Sequence, residues 1–263
     1  MSKSMFHTML VIGLSLMSVL PSDAQTKQQQ KKRMADVHWY FNVPFMNSLR
    51  TSRDTTAVDF GKLYKHPQMT SFNVGWNAGI IHDEEVDIDM GQSYELELRN
   101  LICFDTRLTN RSWASIGLGL DWRNYRMTGD KLFSTPQFGS TVITVGPYPS
   151  GTAPKFSRIH TFSLCFPVQL HYAASNHCYV SLGADMYFNF YASTKTRYTY
   201  NGEKMLEKSG GLSDCTTGVT AGLYGEVTYY GVGVYYKFSP FRVLKNEVGP
   251  KFSSMTVGMK FSL

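Results

Sequence analysis

Between Ser71 and Leu263 apolar and polar side chains repeatedly alternate one for one. A period of two belongs to strands that meet a different medium on each face. Eight segments carry it: 71–80, 93–102, 113–123, 161–172, 179–190, 217–227, 232–238 and 254–263. In the first, Phe72, Val74, Trp76, Ala78 and Ile80 share one face, with Asn73, Gly75, Asn77 and Gly79 on the other. In the last, Met255, Val257, Met259, Phe261 and Leu263 oppose Thr256, Gly258, Lys260 and Ser262. Each is close to the ~9–11 residues that a tilted strand needs to cross a bilayer, 232–238 being slightly short. Pro167 lies on the polar face of the fourth segment. A proline cannot donate to a ladder, so a bulge or a locally broken ladder is expected there.

The connections sort by length. Those after the second, fourth and sixth segments are short, and the others run longer, including about thirty Gly/Pro-rich residues from Met127 to Phe156. Alternating short and long connections are the mark of an up-and-down barrel with one rim in the periplasm and the other outside the cell. The predicted fold is therefore all-β: an eight-stranded antiparallel up-and-down transmembrane barrel over residues 68–263, with a periplasmic extension before it. Such a barrel leaves no edge in lipid, so the last strand must pair with the first.

Composition sharpens this picture. Aromatic residues make up 14% of the 263 and charged residues 17%, against about 25% charged in an ordinary soluble domain. Lys3, the apolar run 9–20 and the small residues Ser22-Asp23-Ala24 read as a secretory signal over 1–24, with Gln25 as the mature start. Residues 25–67 form the extension. Its run "KQQQKKR" (27–33) contributes to the formal charge of +6 and reads as a solvated linker, not a nucleic-acid contact. The aromatic stretch 37–45 is expected to pack in the barrel mouth. Cys103, Cys165, Cys178 and Cys215 have neither disulfide-framework nor metal spacing and read as buried or lumenal thiols.

Face assignment sends nine charged residues inward: Glu95, Glu97, Arg99, Asp121, Arg123, Asp185, Glu226, Lys237 and Lys260. Paired carboxylates can serve as acid and base. An eight-stranded lumen is only wide enough for side chains to fill, however, and buried charges must pair. The expected role is a structural lumenal charge network, with no catalytic, cofactor or metal residues and no open pore. Lys260→Glu is expected to cost ~1 kcal/mol or less, by re-pairing with Arg99 or Arg123. The acidic loop 82–90 lacks the glycine and closing glutamate of a calcium loop. Ser175 follows His171 by four residues, but His171 faces the lumen, the wrong side for a lipid hydrolase.

The stretches "GLGLDWRNYRM" (117–127), "LCFPVQLHY" (164–172), "GLYGEVTYYGVGVYYKFSPF" (222–241) and "VGMKFSL" at the end resemble the PorT-like outer-membrane β-barrel family. The chain departs from it in closing on Leu263, where an aromatic residue is commoner, and 34–67 lies outside the likeness. The resemblance implies an integral protein of a Gram-negative outer membrane and no reaction. The expected role is structural, surface-interacting or within export machinery, carried by the loops and the extension. Expected partners are outer-membrane lipid, the barrel assembly machinery through the last strand, and a periplasmic or surface protein; none is nucleic acid. The alternatives are a lipid-modifying barrel enzyme and, behind it, a small-solute channel.

Overall fold

The computed structural model describes residues 70–263 except 82–85, 87, 110, 130, 135–141 and 246–247. The signal, the extension and the 37–45 aromatic stretch lie outside the described residues. All eight alternating segments are strands: β1 (Ser71–Ile81), β2 (Tyr94–Arg107), β3 (Ser112–Arg126), β6 (Thr152–Ala173), β7 (Cys178–Tyr200), β9 (Val219–Tyr229), β10 (Val232–Ser239) and β11 (Phe252–Ser262). Three further strands stand in the long connections: β4 (Lys131–Ser134), β5 (Thr144–Pro147) and β8 (Glu203–Gly210).

Each of the eight pairs antiparallel with the next in sequence, and β1 pairs with β11 from Ser71↔Ser262 to Ile81↔Phe252. The sheet is thus closed. The Leu263 amide donates to the Thr70 carbonyl at 2.9 Å, so the terminal residue is itself held in the seam.

Outward positions are apolar and inward ones polar. Trp76, Trp122, Val168, Leu170, Leu182, Leu223, Val234 and Met259 are exposed. Asn73, Asn77, Ser115, Gln169, Thr220 and Thr256 are buried. This reverses the arrangement of a soluble domain, whose exposed apolar patches seldom exceed a few hundred Å². On β6 the outward apolar residues run from Phe162 to Tyr172. Those ten positions cover roughly 33 Å along a strand, or about 25 Å along the axis of one tilted ~40°.

Two local features shape the interior. Between Leu98 and Ile102, β2 holds two more residues than the facing stretch of β3. Asn100 takes a left-handed conformation at the bulge (φ 54°), which an asparagine tolerates, and Arg99 and Asn100 both enter the lumen. Gly119 makes room: a Cβ there would lie 2.5 Å from the Leu98 carbonyl oxygen and 3.2 Å from Arg99 Cα. At Pro167 the ladder to β7 is regular (Pro167↔Asp185). The ladder to β3 lapses between Ile116↔Val168 and Gly119↔Cys165 and resumes in the same register. The missing N–H interrupts pairing on that side alone, without a bulge.

The strands also outrun the segments read from sequence. β6 begins nine residues before Thr161, and β7 continues ten residues past Phe190. Beyond the apolar band the pattern inverts: Ile159 and Ala192 point in, and Arg158 and Lys195 sit on the outward side. A search for apolar outward faces passes over such a stretch. The Asn201-Gly202 pair, with both residues at positive φ (48° and 82°), is the two-residue turn that leads from β7 into β8, and Asn-Gly is a strong hairpin signal.

Candidate functional site: a sealed polar lumen

All nine inward charges are buried, and each takes part in an ion pair. Arg99 is the hub. Its two terminal nitrogens hold the Asp185 carboxylate at 2.9 and 2.5 Å, and Nη1 also reaches Glu97 Oε1 at 3.0 Å. The guanidinium lies 3.7 Å above the Tyr224 ring. Lys237 Nζ bridges Glu95 (2.5 Å) and Glu97 (2.9 Å). Arg123 Nε stands 3.2 Å from Glu95 and 2.7 Å from Asp121. The Asp121 contact is an ion pair whose angles do not make it a directed hydrogen bond.

Neutral groups complete the layer. Asn73 donates to Glu97 (2.8 Å), Thr256 to Glu95 (3.0 Å) and Tyr187 to Asp185 (2.8 Å). Glu97, Cys165 and Asp185 bring three potential metal-ligand atoms within 4.8 Å of one another. Arg99 already occupies both carboxylates, so the charge that fills the position is a guanidinium. Asp105, three residues beyond the segment read from sequence, is a further buried inward acid.

Lys260 pairs with Glu226 at 2.6 Å. Glu226 also accepts from Ser181 (2.7 Å) and from the Tyr224 hydroxyl. Because the Ser181 proton is given to the carboxylate, His171 Nδ1–H must donate to Ser181 (2.7 Å), and His171 Nε2 accepts from Ser115 (2.8 Å). That chain, Ser115–His171–Ser181–Glu226, has the donor order of a hydrolytic relay. It is enclosed: Ser115 is 2% exposed, and Trp113 stacks on the imidazole at 5.2 Å between centroids. Ser175 instead caps the β6–β7 turn, accepting from the amides of His177 (3.4 Å) and Cys178 (3.1 Å).

The Lys260–Glu226 pair adds a cost to Lys260→Glu which the re-pairing expectation did not include. The substitution would set a second carboxylate against buried Glu226, and breaking a buried pair costs several kcal/mol. We expect a loss of about 3 kcal/mol, with Lys260→Gln losing less, read from denaturant midpoints.

Apolar packing closes both ends. At the short-turn end Cys103, Trp113 and Ala173 form a small cluster, with Tyr179 against it. At the long-loop end lies a larger core built largely from connections: Val86 and Ile88, Phe133 of β4, Ile143, Leu212 and Cys215, and Val243 and Leu244. It packs onto Tyr125, Ile159, Ala192 and Phe252 of the barrel wall. Cys215 serves as an apolar member, since burial and the neighbouring Asp214 raise its thiol pKa. All four cysteines are free thiols, Cys178 alone partly exposed. Of the acidic loop, Val86 and Ile88 join this core, and the Asp89 carboxylate accepts from the Gly91 amide and Gln92 Nε2; residues 82–85 and 87 lie outside the described residues. Below the lid, a recess lined by Arg123, Tyr125, Thr161, Asn189, Thr220 and Ser239 has room for about one water.

No protein-family model matches the chain, and no curated protein sequence is similar to it. The PorT-like resemblance rests on the motifs alone. Among solved structures, the chain is similar to Ail, the attachment invasion locus protein of Yersinia pestis. The TM-score is 0.33 at 9% identity, over 73% of this chain and 96% of that one.

Proposed function

We propose that this chain is a non-catalytic integral barrel of a Gram-negative outer membrane, held rigid by its lumenal charge network, whose working surface is the long-loop end. The observation that carries the reading is the apolar outward band. Its height of about 25 Å is that of a transmembrane barrel, and aromatic residues bound it, as at membrane interfaces. Trp76, Trp122, Phe162 and Tyr191 stand toward the long-loop rim, and Tyr172, Tyr229 and Tyr230 toward the short-turn rim.

Export through cleavage of residues 1–24 and assembly through β11 belong to the same proposal. The PorT-like motifs favour a surface or export-machinery role, with a protein partner at the loops or at the extension. A lumen filled along its length speaks against a solute channel. The enclosure of Ser115 speaks against a lipid-modifying enzyme.

The test is fractionation joined to one substitution. The protein should sediment with outer membranes and run faster on a gel unheated than boiled. Leu223 is 63% exposed at mid-band, where it pairs with Ala184. Leu223→Arg should lower folding stability in phosphatidylcholine vesicles by about 2–4 kcal/mol, with Met259→Arg, nearer the rim, losing less. Recovery as a detergent-free soluble protein, or an unchanged Leu223→Arg barrel, refutes the membrane reading.

A further inference from the structure

Resting on that membrane reading, we propose that the outward face of β3, β6, β7 and β8, just beyond the aromatic rim, is a binding site for the phosphate groups of lipids in the adjoining leaflet. Four cations stand there in one cross-strand row: Arg126 pairs with Arg158, Arg158 with Lys195, and Lys195 with Lys208. The next row holds Phe156, Arg197 and Leu206, and Lys204 follows on β8 opposite Thr199. Like charges directly opposite one another destabilise a sheet. A row of four is a cost that no described acid offsets; what the fold supplies is the Phe156 ring and the Lys155 carbonyl, which accepts from Arg126 at 2.8 Å.

None of these six cations forms an ion pair with a described residue. The acids of β8 fall on the other face, where Glu207 accepts from the Tyr198 hydroxyl at 2.6 Å. Asp89 lines a recess beside Arg126, Lys155 and Phe156, but its oxygens are taken by Gly91 and Gln92. Arg158 Nε is buried without an acceptor among the described residues. The guanidinium groups of Arg126, Arg158 and Arg197 surround the Phe156 ring at 5.4, 5.1 and 5.7 Å, which holds them together despite their charge.

Height selects the occupant. The row Trp122–Phe162–Tyr191 lies four residues below Arg126, Arg158 and Lys195 on the same strands. Four residues are roughly 13 Å of strand, or about 10 Å along the axis at a ~40° tilt. Long basic side chains reach back several ångströms from there toward the interface, into the headgroup layer just outside the hydrocarbon. The row spans about 14 Å across four strands, enough for a headgroup with two phosphates. Phe156 and Leu206 offer apolar contact beside it.

The test uses the full chain, refolded in neutral detergent and titrated with diphosphorylated lipid A, with bound lipid counted by native mass spectrometry. Wild type should bind lipid A far more tightly than its dephosphorylated form. R158Q/K195Q/K208Q should weaken binding about 100-fold and K204Q/K208Q about 20-fold, at the value expected for each basic residue near an anionic surface. Both variants should fold in phosphatidylcholine vesicles at least as well as wild type, because the row repels itself. Equal binding of the dephosphorylated lipid, or variants that bind like wild type, overturns the proposal. Displacement of lipid A by equimolar inorganic pyrophosphate also overturns it, in favour of a free-anion site. Failure of wild type to fold in neutral vesicles would instead strike the membrane reading.

Discussion

Replacing Arg99 by methionine should destabilise the barrel by about 5 kcal/mol, the upper end of what breaking a buried ion pair costs. Methionine keeps much of the volume, so the loss isolates the charge. Asp185 is stranded, because it loses both its Arg99 hydrogen bonds and its one ion pair among the described residues, while Glu97 loses one hydrogen bond and keeps only Lys237 as a cationic partner. Lysine restores the charge but not the two-pronged grip or the stacking on Tyr224, so Arg99→Lys should fall between. Adding Asp185→Asn to Arg99→Met should recover part of the stability, since it removes one unpaired charge; that recovery is the signature of direct coupling. The measurement is reversible urea unfolding in phosphatidylcholine vesicles. A loss within about 1 kcal/mol of wild type would mean that water reaches the layer and screens it.

Phe252→Ala should cost about 4 kcal/mol, within the usual range for a buried aromatic residue. Phe252 is fully buried, lies edge-on to Tyr125 at 5.2 Å between ring centroids, and belongs to the core under the lid. The second readout is permeability. Wild type should give no unitary current in a planar bilayer. Phe252→Ala loosens the lid but leaves the charged layer and the Trp113 plug in place, so it should stay closed too. Current through wild type would show that the apolar ends do not seal and would revive the channel reading.

The fold could be read from the chain because a barrel that is apolar outside and polar inside imposes a two-sided code. Wherever the outward face is apolar and the inward one polar, as from Phe162 to Tyr172, parity alone assigns every side chain. The inward charges came with it, since Glu95, Glu97, Arg99, Asp121 and Lys237 occupy the opposite parity. The pairing did not. Which acid meets which base depends on the stagger of strands around the barrel, and Lys260 found Glu226 because β9, β10 and β11 are neighbours. The two-residue bulge that admits both Arg99 and Asn100 left no sign in the alternation, because an even insertion preserves parity. The lid was hidden for another reason. Its apolar residues are spread over four connections as ones and twos, and no local period marks Val86, Phe133, Ile143 and Leu244 as one core.

That lid alters how this surface can change over generations. Loops at the outer end of a barrel ordinarily drift freely, because little packs on them. Here the same connections supply the hydrophobic closure, so a replacement at Ile143 or Leu212 acts as a core substitution, of the 2–5 kcal/mol kind. Variation that leaves the barrel intact is confined to side chains pointing away from the lid, such as Tyr200, Asn201, Met205 and Leu206 around the β7–β8 turn. With this end at the cell surface, as proposed above, an antibody or phage that recognises it would meet an epitope with few routes of escape.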